Sequence, residues 1–470
     1  MEKTPAALQM KKELGLLDAT MLVAGSMIGS GIFIVSADIT RYVGSAGWLL
    51  LIWLLTGVIT LIAALSYGEL SAMFPKAGGQ YVYLREAYNK LIAFLYGWAL
   101  FTVVQTGTIA AVAVAFAKFT AYLIPAVSDE HILWQNAYFH VNAAQVLAIA
   151  VILILTWFNT RGVRNGKILQ TVFTIIKILS LGGLTVLGLI TAFHADIWQL
   201  NWSDAWVPKT WDINQQAFIE VGGAALFAAI VSAMVGSLFS SDAWNNVTFI
   251  AGEIRQPQRN IGLSLFFGTL IVTIIYFATN VMYLATTTIE HIAFAPADRV
   301  AVVAAQSIFG GIGTMVIAVM IMISTFGCDN GLILSGARVY YTMAQDGLFF
   351  KRAARLNRFE VPSWGLWAQG IWASGLCLTG KYGDLLNYII LVVLIFYSLT
   401  IVGVFILRKR YPHADRPYKA FGYPILPAIY VIAALTICVG LLIYQPTYTW
   451  PGLIIVLIGV PVYYLFGKNS

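Results

Sequence analysis

Residues 21–36 read MLVAGSMIGSGIFIVS. The stretch is apolar enough to enter a bilayer, yet Gly25, Gly29 and Gly31 stand at its centre beside Ser26 and Ser30. Glycine inside a helix costs roughly 1 kcal/mol relative to alanine. Gly25 and Gly29 alone are compatible with close helix packing of the small-xxx-small kind. Gly29-Ser30-Gly31 adds a run of weak helix formers, which points to unwound backbone. Such backbone is tolerated at membrane depth only where protein buries it or a cavity adjoins it. The free ends of broken helices hold charged groups of a substrate.

The surrounding chain is that of an integral membrane protein. Of its 470 residues, 59% are hydrophobic and 10% are charged, against roughly 25% charged in soluble proteins. Apolar runs of about 20 residues, the length of a spanning helix, recur, and the alternating segments of a transmembrane barrel are absent. The fold class is therefore all-α. Twelve spans are expected, at 16–42, 47–74, 89–124, 143–159, 168–192, 217–252, 261–286, 310–345, 362–380, 384–409, 425–444 and 449–467. No cleavable leader is apparent in Met1–Glu13.

The net charge of +7 reflects membrane topology rather than a nucleic-acid partner. Lys3, Lys11 and Lys12 precede the first span. Lys76, Arg85 and Lys90 follow the second, and Arg161, Arg164 and Lys167 the fourth. Arg255 and Arg259, then Lys351 to Arg358, then Arg408 to Lys419, and finally Lys468 continue the alternation. Lys209, Arg299 and Lys381 are nearly all that the opposite loops carry. This bias predicts an even number of spans and two cytoplasmic termini in a cell (inner) membrane. The outer segment 287–309 reads as short helices over the extracellular mouth, a lid or an interfacial loop.

A second break is expected if the first five spans repeat inverted as the next five. Span six carries Ser240-Ser241-Asp242-Ala243-Trp244-Asn245-Asn246. An aspartate at a helix centre costs roughly 2.5–3.5 kcal/mol on insertion scales, so the run marks a functional interruption. The third anomaly is Lys177. It lies about 15 Å beyond the cytoplasmic cluster, near mid-bilayer, by the rise of a helix. Gln170, Thr174 and Lys177 share one face at i, i+4, i+7, which predicts that the lysine points inward. Its ammonium either replaces a coupling cation or, if burial lets it titrate, carries a proton.

Lys118 and Arg41 lie near outer helix ends and read as snorkelling side chains; Asp18 and Arg338, near inner ends, read as gate or interface residues. The five histidines are scattered, with no metal spacing, and no phosphate-binding loop or dinucleotide fingerprint is present. No metal, cofactor or enzymatic activity is expected. Cys328, Cys377 and Cys438 fall in apolar segments and read as buried thiols.

Taken with "GSMIGSGIF" (25–33), the stretches "GELSAMFPKAGGQYVYLREAY" (68–88), "FSSDAWNNVTFIAGEIRQPQRNI" (239–261), "NGLILSGARVYYTMAQDGLFF" (330–350) and "DRPYKAFGYPILP" (415–427) resemble one family. It is the L-type amino acid transporter family, the light-chain-type exchangers and their prokaryotic relatives, within the amino acid–polyamine–organocation permease superfamily. The resemblance implies a five-plus-five inverted repeat with broken helices 1 and 6 and two extra C-terminal helices. The division would be a cytoplasmic segment 1–15, repeats 16–192 and 217–409, and a terminal pair 425–467. It implies that an L-amino acid is held by Met27, Gly29, Ser30 and Gly31 and by Phe239, Ser240, Ser241 and Asp242. Phe239 would be the aromatic gate and Ser324 a pocket-facing residue, while Lys177 would stand where sodium-coupled relatives bind an ion.

Departures from the family lie at Ser241, often aromatic, and at Ala243, frequently glycine. Asp242 occurs in several members, including some that accept cationic amino acids. Pocket-side positions of helix ten read as Leu391, Val393 and Leu394. The cysteine that joins animal members to a heavy chain has no counterpart, so no disulfide-linked partner is expected. The function expected is sodium-independent L-amino acid transport, as an obligate exchanger working by alternating access. A proton-coupled symporter with Lys177 as the titrating group is the alternative. A channel or receptor is a more distant one.

Overall fold

The computed structural model describes residues 12–135, 140–378 and 382–467. Lys3, Lys11, Lys381 and Lys468 of the charge alternation, most of the segment 1–15, and residues 379 and 380 of the ninth expected span lie outside the described residues. In lipid every backbone polar group must be satisfied within the segment, and the apolar runs accordingly form helices. The first expected span is α1 (Leu16–Met27) and α2 (Gly31–Val43), bent by 40°. Next come α3 (Ala46–Met73), a short α4 (Gln80–Ala87), then α5 (Lys90–Ala99) joined through a π-turn at Leu100–Val104 to α6 (Gln105–Leu123). α7 (Ala143–Asn159), opened by an Asn142–Gln145 capping box, and α8 (Val163–Thr191) complete the first half.

The second half runs through α9 (Ala195–Trp202), α10 (Gly223–Ser240), α11 (Asn246–Phe249), α12 (Pro257–Thr286), α13 (Ile289–Ala293), α14 (Val300–Gln345), α15 (Ser363–Leu376) and α16 (Tyr382–Arg410). α17 (Ile425–Tyr444) and α18 (Pro446–Gly467) follow. Among the described residues eight helices are long and apolar enough to cross a membrane, or nine with the bent pair as one span. Ala143–Asn159 and Thr449–Leu465 are shorter apolar helices, and α15 has 14 residues. Leu179, Ile190, Ile312, Ile371 and Leu465 are exposed on the outer surface, an apolar face suited to lipid.

The packing falls into two groups. α1 and α2 lie on α12 and α10, and α3 lies on α12. α6, α7, α14 and α15 pack mutually. α8 lies against α1, α12 and α14, while α16 lies against α10, α3 and α6. Exchanging span one for six, two for seven, three for eight and five for ten maps one set of contacts onto the other.

The side of the bundle away from the N-terminus departs from the expected boundaries. Two hairpins, β1 (Ile132–Gln135) with β2 (His140–Asn142) and β3 (Lys209–Asp212) with β4 (Ala217–Glu220), cap it. β4 takes residues 217–220, so span six begins helically at Gly223 rather than at 217. The segment 287–309 forms short helices, as expected. α13 is followed by a 3₁₀ turn at Pro296–Asp298 and by the first turns of α14. Gly310 breaks α14 at φ 68°, ψ −160°, a conformation open to glycine.

Candidate functional site

The C-terminal turn of α1 leaves four carbonyls without intrahelical partners, and side chains from three other helices meet them. Lys177 Nζ donates to Gly25 O at 2.5 Å and to Ile28 O at 2.8 Å. Cys328 Sγ is 3.0 Å from Ser26 O, and Tyr276 Oη donates to Met27 O at 2.9 Å. Ser324 Oγ adds a bond to Ile28 O at 3.2 Å. The chain turns at Ile28 (φ −74°, ψ 84°), and Gly29 N–H bonds back to Met27 O at 2.8 Å. α2 restarts at Gly31 with no side-chain cap. The carbonyl end of the break is thus occupied by protein donors. Its N–H end is the positive pole of the α2 dipole.

Lys177 is 1% exposed. Its third acceptor is Ser324 O at 3.3 Å, so three carbonyls face an ammonium with three donors. It forms no ion pair among the described residues. The inward face read from the sequence is realised in full: Gln170, Thr174 and Lys177 are all buried. Thr174 Oγ1 donates to Met21 O at 3.1 Å and Gln170 Oε1 accepts from Asn330 Nδ2 at 3.2 Å. The stripe thus runs along Met21, Gly25 and Ile28, one helical face of α1. Gly25 is required there, because a β-carbon would overlap Thr174 Oγ1 and Gln170 Nε2.

The break in span six follows Ser240. Asp242 N–H bonds to Phe239 O at 3.1 Å, and Ala243 takes the left-handed conformation at φ 64°, uncommon for a residue with a β-carbon. Asp242 Oδ1 accepts a bond from Tyr397 Oη of α16 at 2.6 Å. The two breaks touch. A β-carbon on Gly31 would overlap Ser240 Oγ, and Tyr276 Oη lies 3.2 Å from Ser240 O as well as against Met27 O.

Two small cavities adjoin the second break. Gln105, Thr108, Asn245 and Val393 are among the residues of the first; Thr60, Ser241, Trp244 and Leu394 are among those of the second. Asp242 and Tyr397 belong to both. Met27, Gly29, Ser30, Gly31, Phe239, Ser240 and Ser324 are all buried at the junction of the breaks and line neither cavity. Leu391 is buried and lines neither.

Polar contacts cover both approaches. At the end of the bundle away from the N-terminus, Arg41 does not snorkel: it bonds Ala293 O at 2.7 Å and Asp298 at 2.9 Å, and Lys118 lies 3.8 Å from the same Asp298. A buried carbonyl and a carboxylate next to these cations are better partners than a distant headgroup. Toward the N-terminal end of the bundle, Asn245 Nδ2 donates to Gln80 Oε1 and Gln80 Nε2 to Thr400 Oγ1, both at 3.0 Å. Arg338 pairs with Glu253 at 3.0 Å, both buried, and Asp18 caps Gly15 N–H at 2.8 Å. In α4, Tyr81 Oη donates to Asp346 at 2.8 Å. Burial and that carboxylate push its hydroxyl well up from the ordinary range, so it stays a donor.

The sequence reading missed Tyr276, Tyr397 and the Gln80–Asn245–Thr400 chain. One signal was present. Tyr276, Asn280 and Tyr283 stand at i, i+4, i+7, and all three reach span one, at Met27 O, Ser36 Oγ and Ile32 O. All three cysteines are free and buried. Among the described residues no three His, Cys, Asp or Glu side chains converge on a metal-sized site.

A polar, charge-bearing junction of two interrupted helices inside an all-α membrane bundle defines a permease class. The amino acid permease family profile matches residues 14–463, and the chain belongs to that family. It is 30% identical over 464 residues to the serine/threonine exchanger SteT of Bacillus subtilis (strain 168), covering 98% of each chain. It is 29% identical over 460 residues to the human Asc-type amino acid transporter 1, covering 97% of this chain and 82% of the relative. It is also 29% identical over 461 residues to the human large neutral amino acids transporter small subunit 2, covering 97% and 80%.

Proposed function

We propose that this amino acid transporter is a sodium-independent exchanger of L-amino acids working by alternating access. The observation that carries the reading is the placement of Lys177 against Gly25 O, Ile28 O and Ser324 O. Carbonyls at the end of a broken helix are what a coupling cation would bind, and here an amine of the protein takes that place. A neutral amine has two donors and a lone pair that would face the third carbonyl. Three acceptors therefore suit a fixed ammonium better than a group that sheds its proton each cycle, which favours the exchanger over the proton symporter.

The substrate carboxylate would lie at the N–H groups of Ser30 and Gly31, against the start of α2, and the ammonium at carbonyls of Phe239 and Ser240. Phe239 would cover the substrate, Ser324 would brace the first break, and Ser241 and Asp242 would meet the side chain. The relatives named for serine and threonine exchange and for large neutral amino acids favour neutral substrates. The contact exchange between spans one to five and six to ten supports repeats at 16–192 and 217–409, with 425–467 outside them. The charge alternation supports two cytoplasmic termini and a cell-membrane location. With its cysteines buried, the chain would act without a disulfide-linked subunit.

The test is counterflow in proteoliposomes. Labelled L-serine should enter vesicles preloaded with unlabelled L-serine or L-alanine, equally well in sodium and in choline. Entry into empty vesicles driven by an acid-outside gradient alone would overturn the exchange reading.

A further inference from the structure

The geometry points to Tyr397 as a specificity-determining residue: its hydroxyl fills, from within the protein, the donor position at Asp242 that a substrate side chain would otherwise fill, and so admits side chains without a donor. The inference rests on the substrate reading above.

Asp242 and Tyr397 stand where the two cavities meet, and among the described residues Asp242 is the one charged residue that lines either. The walls beside it are largely apolar, with Leu238, Val393 and Leu394 prominent. No basic side chain pairs with it among the described ion pairs. A carboxylate in the bilayer interior is costly and persists there by being paired or hydrogen-bonded. Here the side-chain donor is a phenol. Its position is set by rings rather than by a ligand: Tyr397 packs on Trp244 at 5.1 Å and on Tyr67 at 5.8 Å, and those two rings meet at 4.7 Å. They come from the break itself and from α3, so the hydroxyl is held on Asp242 by the bundle.

The placement mirrors that of Lys177. α8 packs on the first break and α16 on the second, beside α12 and α14, and each sends one mid-helix donor into its break. Lys177 brings three donors and meets three carbonyls; Tyr397 brings one and meets one carboxylate oxygen. The first break is therefore closed to further side-chain donors at its carbonyl end, while at the second the Asp242 carboxylate meets one replaceable side-chain donor beside the backbone N–H of Ala243. If the phenol is removed, Oδ1 loses its side-chain donor. A substrate with a side-chain hydroxyl then restores the bond, and its apolar isostere does not. Sites that need a donor discriminate strongly against analogues lacking it.

The experiment compares Tyr397→Phe with the unaltered chain in proteoliposomes. It reads the half-inhibitory concentrations of alanine relative to serine, and of valine relative to threonine, against labelled L-serine counterflow. Both ratios should rise about tenfold, the scale of one bond to a charged group. The rise should vanish when Tyr397→Phe is placed on Asp242→Gly, which has no acceptor. Ratios that stay unchanged while all substrates weaken together would reduce Tyr397 to packing and overturn the inference. So would a rise that persists on Asp242→Gly. Should the phenylalanine variant turn over too slowly, displacement of labelled L-serine from the detergent-purified protein gives the same ratios. Absence of counterflow by the unaltered chain for every amino acid would fail the transport reading instead.

Discussion

The Lys177 ammonium and the Ile28 carbonyl lie 2.8 Å apart, where the first span stops being helical. The lysine is bonded to the break from both Gly25 and Ile28, so the end of α1 and the middle of α8 move as one unit. Lys177→Met keeps the apolar stem and strips the donors, leaving Gly25 O bare at about 1–3 kcal/mol and Ile28 O with the Ser324 hydroxyl alone. Counterflow normalised to membrane-inserted protein should fall at least about tenfold. Lys177→Arg, a larger planar group, should not restore it. Normal counterflow by a well-inserted Lys177→Met protein would refute the assigned role.

Gly25 answers a different demand of the same stretch. Its Cα lies against Thr174 Oγ1 and Gln170 Nε2, so Gly25→Ala inserts a methyl where none fits. Overpacking of this kind costs about 1–3 kcal/mol. The melting temperature in detergent should drop, and Thr174→Ala should recover part of the loss by vacating the Oγ1 position. Simple additivity of the two substitutions would show that the contact is not shared.

Tyr276 joins the breaks through one hydroxyl, 2.9 Å from Met27 O and 3.2 Å from Ser240 O. Its ring packs edge-on to Trp53 at 5.3 Å, a contact that Tyr276→Phe retains. The loss is one shared hydrogen bond, about 0.5–1.5 kcal/mol. Counterflow should therefore slow by roughly three- to tenfold while the melting temperature changes little. A large thermal shift with unaltered counterflow would place the hydroxyl in folding rather than in coupling the breaks.

The two breaks and the lysine face were legible because each violates a strong rule: weak helix formers, an aspartate or an unpaired amine inside a lipid-length apolar run. The start of α14 was not: it lies at Val300, ahead of the expected span 310–345, and Gly310 breaks the helix where that span was to begin. Tyr276, Asn280 and Tyr283 share a face at helical spacing, but each is uncharged and common in spans, so none stood out. Tyr397 gave no sign at all, because its role depends on α16 crossing the second break. The hairpin at 209–220 was hidden by its strand Ala217–Glu220, whose apolar residues read as the first turn of span six. The helix α4 was passed over because eight residues of mixed polarity carry little periodic signal.

Glu69 carries the last prediction, at the inner end of α3. The residue is 1% exposed and binds Arg408 through both oxygens, at 2.9 and 2.7 Å. Arg416 lies 3.3 Å from Oε1, and Ala420 N–H donates to Oε2 at 2.7 Å. Arg408 also stacks on Tyr423 with its guanidinium carbon 3.6 Å from the ring centroid. One carboxylate thereby fastens the loop after α16 onto α3, which accounts for the acidic residue in "GELS" and the basic one in "DRPY". Removing one partner from a buried pair leaves the other charge uncompensated, at about 3–5 kcal/mol. Glu69→Gln keeps the shape but leaves two guanidiniums facing a neutral amide. The variant should melt several degrees lower and expose the 411–424 loop to protease in inside-out vesicles. Arg408→Lys, which keeps a charge but loses the two-pronged bond, should fall between. If Glu69→Gln melts with the parent and its loop stays protected, Glu69 does not fasten the loop to α3.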